Sequence, residues 1–223
     1  MQRVFRRAKM STYILTSMFP DGFDEETTRL LGRLIPRRGR FAFVASDFEH
    51  RHDTTDFYFG GVLTWFRDAG ISFERSYVVD GRMTPSEAQA AAREADVVWL
   101  SGGDTLAQFG SLEEYGLVDV IRQHPGVIIG MSAGAINMAK TAVLYDPPYG
   151  VHTATVYAGI GCVDISADPH FEPDRIAATL LNASEERVIY GLCDNSIIVC
   201  HDGQTEYHSE VYRLSGGEVE RIN

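Results

Sequence analysis

The stretch "GVIIGMSAGAINMA", Gly126–Ala139, decides how this chain is read. An apolar run leads into Gly130-Met131-Ser132-Ala133-Gly134, and a segment of small and apolar residues follows. Continuous apolar runs of strand length suit strands that are covered on both faces, as in a parallel sheet between helical layers. A lone serine at the end of such a strand, in a Gly-x-Ser-x-Gly setting, fits a tight strand-to-helix turn that exposes a nucleophilic hydroxyl. Small neighbours let the backbone crowd there. The first N–H groups of the following helix point to where an oxyanion would develop. The competing expectation is a structural turn with no chemistry.

Outward from that turn the chain alternates strand-like and helix-like segments. "TYILTS" (Thr12–Ser17), "RFAFVAS" (Arg40–Ser46), "ISFERSYVV" (Ile71–Val79) and "DVVWL" (Asp96–Leu100) read as strands. Between them, Leu30, Leu31, Leu34 and Ile35 fall at helical spacing, as do Phe59, Val62, Leu63 and Phe66, with Gly70 as a stop. "TPSEAQAAAREA" opens with Thr84 as N-cap, Pro85 at the first helical position and Glu87 completing a capping box. Strands alternating with helices imply right-handed crossovers and an open α/β sandwich. After Asp146 the pattern changes. "PDRIAATLLN" reads as a short helix, and from Arg187 onward short strands are separated by turns, with Asp202-Gly203 and Gly216-Gly217 as hairpin signals. The expectation is one domain over residues 1–223, of which residues 1–10 form a flexible N-terminal extension, with a β-rich C-terminal part.

Composition narrows the classes of function. At 223 residues and 44% hydrophobic, the chain can bury a sizeable core. A net charge of −11 is a poor match for nucleic acid or anionic membranes. The odd count of three cysteines, Cys162, Cys193 and Cys200, contains no CxxC pair. That argues against a disulfide framework or zinc knuckle and suits a reducing cytoplasm. No apolar run approaches the length of a membrane span, and the basic start "MQRVFRRAKM" lacks the apolar stretch of a secretory signal.

Other residues could complete a site around Ser132. Ser101-Gly102-Gly103-Asp104-Thr105 follows the strand "VVWL". Glycines at a strand's carboxyl end let a backbone N–H approach a ligand, or the loop is a plain turn in which Asp104 caps a helix. A serine nucleophile needs a base and a group to orient it. Seven histidines compete for the first role, and His170 in "SADPHFEPDR" is not singled out by its surroundings. Asp146, in "LYDPPYG", is the nearest carboxylate downstream of the turn. His50, His52 and Asp53 crowd together in "EHRHD" but lack a further ligand at a recognised spacing, so a solvated loop is expected rather than a metal site.

The succession "SGGDT", "IIGMSAGA", an Asp followed by Pro, and "DPHF" resembles the peptidase E (aspartyl dipeptidase) family of serine peptidases and the related cyanophycinases. The resemblance runs from about Thr12 to Leu214 in order of elements. It implies a three-layer α/β sandwich around a mostly parallel sheet, of the class I glutamine amidotransferase type, with serine at the turn where the amidotransferases carry cysteine. By the same resemblance Ser132 is the nucleophile and His170 the general base. Asp146 falls where dipeptidase E places its orienting aspartate, with Glu172 in reserve. The N–H groups of Gly103 and Ala133 form the oxyanion hole, with Gly102 and Asp104 beside the substrate. One departure is Asp104, where dipeptidase E has Asn; it leans toward the cyanophycinase-like branch.

The expectation is therefore a cytoplasmic serine exopeptidase that hydrolyses the N-terminal peptide bond of short peptides without metal or organic cofactor. Its partners are the short peptide substrate and at most a second copy of the chain. Two rivals stand beside it. An esterase or amidase of the α/β-hydrolase type would suit a Ser…Asp…His order. A non-catalytic domain would keep the pocket and bind a small molecule or peptide.

Overall fold

The computed structural model describes residues 11–145 and 154–223. The expected N-terminal extension and Asp146 lie outside the described residues. In chain order the first elements are β1 (Thr12–Thr16), α1 (Glu25–Leu34), β2 (Arg40–Val44), α2 (His52–Asp68), β3 (Arg75–Val79), α3 (Pro85–Glu94) and β4 (Val97–Leu100). There follow α4 (Thr105–Glu114), α5 (Leu117–Arg122), β5 (Val127–Met131) and α6 (Ala133–Asn137). Then come β6 (Thr141–Leu144), β7 (Thr155–Ala158), β8 (Ser166–Pro169), α7 (Ala178–Glu186) and β9 (Ile189–Leu192). The chain closes with β10 (Ile197–His201), β11 (Gln204–His208), β12 (Val211–Ser215) and β13 (Glu218–Arg221).

Seven strands form the main sheet, in the order β11-β10-β1-β5-β4-β2-β3. β1, β5, β4, β2 and β3 pair in parallel, while β10 and β11 extend that sheet antiparallel beyond β1. Side chains alternate across it and build two cores. Phe41, Phe43, Val97, Trp99, Val127 and Ile129 meet Leu30, Leu31 and Leu34 of α1 and Val62 and Phe66 of α2 on one face. Ala42, Val44, Val98, Leu100 and Ile128 meet Ala88 and Ala92 of α3, Leu112 of α4, and Leu117 and Ile121 of α5 on the other. The three-layer sandwich follows from this alternation, because a strand with both faces apolar is stable only between two helical layers.

Local chemistry sets the helix starts. The Asp24 side chain accepts from Thr27 N–H at the head of α1. The capping box expected at Thr84 and Glu87 is formed in both directions at α3. Two expectations shift. β3 pairs only from Arg75, because Ile71 and Phe73 turn into the core, where the Phe73 ring meets Phe41 and Phe66. The helix expected from Pro173 begins at Ala178, because a turn closes first with Arg175 N–H donating to the Glu172 carbonyl.

The β-rich part divides. β10 and β11 join the main sheet through a hairpin whose Asp202 and Gly203 both have positive φ (50° and 74°). A second sheet, β13-β12-β9-β8, pairs β8 with β9 in parallel and packs on a smaller core of Val143, Phe171, Leu180, Ile189 and Leu214.

Candidate active site

β5 ends at Met131, and the chain then turns sharply into α6. Ser132 at that turn has φ 51° and ψ −113°, a conformation an L-residue holds only at a cost of about 1–3 kcal/mol. Its N–H donates to the Thr16 carbonyl, and its own carbonyl accepts from Ala135 and Ile136. The flanking glycines are required by close approach. A Cβ on Gly134 would lie 2.3 Å from the Leu100 carbonyl oxygen, and one on Gly130 would lie 2.7 Å from the Gly134 backbone. The whole motif is the contact between α6 and the strands β4 and β5.

His170 follows β8, also at positive φ (58°). Its Nε2 is 2.9 Å from Ser132 Oγ, and its Nδ1 is 3.1 Å from Asp194 Oδ1. A carboxylate only accepts, so the proton belongs on Nδ1, which leaves Nε2 free to accept from the serine hydroxyl. Asp194 is held in its turn by Ser17. The Ser17 hydroxyl donates to Asp194 Oδ1 at 2.8 Å and accepts the His170 backbone N–H at 2.8 Å. Asn195 N–H, from the next residue, donates to the Met18 carbonyl. The end of β1 thus ties the turns after β8 and β9 to the edge of the main sheet. A hydrogen-bond chain of this kind lets an imidazole take a proton from a serine and keeps the right tautomer while it does so.

The Gly102-Gly103 loop lies against the serine. A Cβ on Gly102 would be 3.3 Å from Ser132 Cβ, and Gly103, at φ 137°, leaves room for the Ser46 hydroxyl that any side chain would strike. Behind the loop, Gln108 donates to the Ser101 carbonyl, and Asn137 of α6 donates to Gln108 and to the Thr105 carbonyl. Tyr157 closes this buried network by donating to Asn137 Oδ1. Loop and elbow are therefore braced against each other.

Residues 37–208 match peptidase family S51. The chain belongs to that family and is a peptidase. Two solved structures share the fold. A peptidase from an acI-B1 Actinobacterium superposes with a TM-score of 0.72 at 16% identity, covering 96% of this chain and 95% of its own. A protein described as a peptidase E from Listeria monocytogenes EGD-e gives 0.66 at 19% identity, covering 89% and 98%. No curated protein matches the chain.

In this S51 chain Ser132, His170 and Gly103 line one cleft of about 530 Å³, together with Asp168, Glu172 and Arg175. Asp194, which reading the sequence did not single out, is the carboxylate on His170 Nδ1. Glu172, the reserve for that role, instead accepts from Arg175 Nη1 at 3.2 Å. Asp104 caps α4, its Oδ1 accepting from Ala107 N–H at 2.9 Å, and does not line the cleft. His52, from the "EHRHD" cluster, bonds the fully buried carboxylate of Asp80, which also receives Arg82. A larger cleft of about 770 Å³ lies at the opposite edge, where β1, β4 and β5 begin. It contains none of the Ser132–His170–Asp194 chain. Three of its arginines, Arg33, Arg37 and Arg40, are paired with Glu206, Asp96 and Glu94.

Proposed function

We propose that this peptidase is a serine exopeptidase that hydrolyses the N-terminal peptide bond of short peptides, with Ser132 as nucleophile, His170 as general base and Asp194 as the residue that orients the base. The unbroken hydrogen-bond chain from Ser132 Oγ through His170 to Asp194 carries this reading. Ser132 attacks the scissile carbonyl as His170 Nε2 takes its proton. The backbone N–H groups of Gly103 and Ala133 receive the oxyanion. His170 then protonates the leaving amine, and water resolves the acyl-enzyme by the same path.

Cysteine chemistry is disfavoured. Burial pushes the thiols of Cys162 and Cys193 up to about 12 and about 11, and none of the three cysteines lines the cleft. The α/β-hydrolase rival called for Ser…Asp…His, whereas the partners here run Ser132, His170, Asp194. A volume of about 530 Å³ suits a short peptide. Among the described residues no helix is long and apolar enough to cross a membrane, and the acidic balance again speaks against nucleic acid. Cytoplasmic location, with a second copy of the chain as the one macromolecular partner allowed, completes the reading.

The test joins a fluorophosphonate probe to a panel of di- and tripeptides, including β-linked Asp peptides. Wild type should label and should release N-terminal residues. Ser132→Ala should not label and should lose roughly 10³–10⁶-fold in kcat. Near-normal turnover by Ser132→Ala would overturn the mechanism.

A further inference from the structure

The cleft around Ser132 holds a carboxyl group that this mechanism does not use. Asp168 lies on β8, two residues before His170, and lines the same cleft. Two residues of extended chain separate their Cα atoms by about 6–7 Å. Among the described residues Asp168 has no hydrogen-bond or ion-pair partner. The elements packed on β8 bring it no counter-charge. β6, β9 and α6 carry no charged residue, and their sole titratable side chain is that of Tyr190.

Among the described residues, the other titratable groups lining the cleft are Tyr145, His170, Glu172 and Arg175. Arg175 is bonded to Glu172, and His170 to Asp194. Among the described residues, the other charged groups of the cleft are thus paired, and Asp168 is left over. Burial pushes its carboxyl up to about 7. Asp168 is half-buried, and a partly desolvated acid without a partner carries a cost. Such groups cluster where a ligand completes them.

We propose that Asp168 receives the free α-ammonium group of the substrate's N-terminal residue, and so selects peptides with an unblocked amino terminus. The inference rests on Ser132 being the nucleophile. The distances agree with it. A peptide's α-nitrogen lies about 2.5 Å from its own carbonyl carbon. With a charge-assisted hydrogen bond of about 2.8 Å added, the acceptor oxygen comes within about 5 Å of the carbon that Ser132 attacks. A residue two positions from the general base, in the same cleft, can meet that span. The ammonium brings a full charge and three donors, whereas an acylated nitrogen brings one neutral donor. Blocking the amine leaves the half-buried carboxyl unmatched beneath the bound substrate, which is the kind of mismatch that discriminates. Asp104, which the resemblance places beside the substrate, already spends one oxygen on the Ala107 N–H outside the cleft.

The experiment compares an aminoacyl p-nitroanilide with its N-acetylated form, on wild type and Asp168→Asn, with fluorophosphonate labelling measured in parallel. Wild type should favour the free amine at least tenfold in kcat/KM. Asp168→Asn should lose most of that preference, chiefly through KM. Its labelling rate and its kcat/KM on the acetylated substrate should stay within about threefold of wild type. Equal use of both substrates by wild type would overturn the proposal without any variant. So would a preference that survives in Asp168→Asn, or an equal loss on both substrates. Absence of labelling in wild type would count against Ser132 as nucleophile instead. In that case calorimetric binding of a free-amine dipeptide to wild type and to Asp168→Asn still decides the role of Asp168: tenfold weaker binding by the variant supports it, and equal binding sinks it.

Discussion

His170 has two ring nitrogens and, in this fold, a distinct partner for each. Ser132 takes one and Asp194 the other, while Ser17 bonds both Asp194 and the His170 backbone. Replacing Asp194 by Asn keeps the shape but offers an amide that can donate where only an acceptor serves, so the tautomer is lost. The expected loss in kcat is up to roughly 10⁴-fold. Glu172→Gln should cost only a few-fold, because Glu172 bonds an exposed Arg175 and not the imidazole. Steady-state kinetics on both variants gives the ranking. A loss below tenfold for Asp194→Asn beside a loss above a hundredfold for Glu172→Gln would move the orienting role to Glu172.

At the scale of elements, Asp104 belongs to α4. It accepts from Ala107 N–H, satisfying one of the donors that every helix leaves open at its first turn. Asp104→Ala should cost about 0.5–2 kcal/mol of stability in urea unfolding, and Asp104→Asn close to nothing, since Asn caps as well as Asp. Neither change should alter the ratio of kcat/KM between free-amine and N-acetylated substrates; a tenfold change in that ratio with Asp104→Asn would return this residue to substrate selection. What the sequence made legible is of this local kind. The capping box at Thr84, the apolar runs of β4 and β5, the glycine turn around Ser132 and the Asp202-Gly203 hairpin each carry their geometry in adjacent residues. Asp194 does not. It is 24 residues from His170, and His170 is 38 from Ser132. The three meet because β8 and β9 pair in parallel at one end of a second sheet, whose edge is tied to β1 through Ser17. Nearness along the chain and the family resemblance favour Asp146, which lies outside the described residues, whereas only long-range strand pairing picks out the carboxylate that follows β9. The entry of β10 and β11 into the main sheet was hidden for the same reason, because a hairpin signal fixes its own turn and not the strand beside which it will lie.

Across the whole molecule the two sheets share one core. Ala167 of β8, Leu192 of β9 and Val211 of β12 pack in the same cluster as Ala42, Leu100 and Ile128 of the main sheet. Unfolding should therefore be a single transition, and the ionisation of one half-buried acid should register in it. Asp168 is the group to watch. In the unfolded chain its carboxyl loses its proton near the usual 3.8; in the folded protein burial holds it up to about 7. Between those values the native state binds more protons than the unfolded state, so this residue's contribution makes stability fall as pH rises through that window and stay lowered above it. The shift corresponds to at most about 4 kcal/mol, and water reaching the cleft reduces it. Asp168→Asn removes the ionisation while keeping the volume. Its melting temperature should exceed that of wild type by several degrees at pH 8 and by almost nothing at pH 4.5, given about 2–4 °C per kcal/mol for a chain of this size. Taking the difference between variant and wild type at each pH cancels the titration of every other group. An equal gain at both pH values would mean that Asp168 does not ionise late. A loss at pH 8 would mean that its carboxylate has a stabilising partner within the protein, and the ammonium of a substrate would then have no vacancy to fill. A gain confined to high pH, together with lost preference for free-amine peptides, would show a fold that carries a stability cost at a cleft position where a substrate cation removes it.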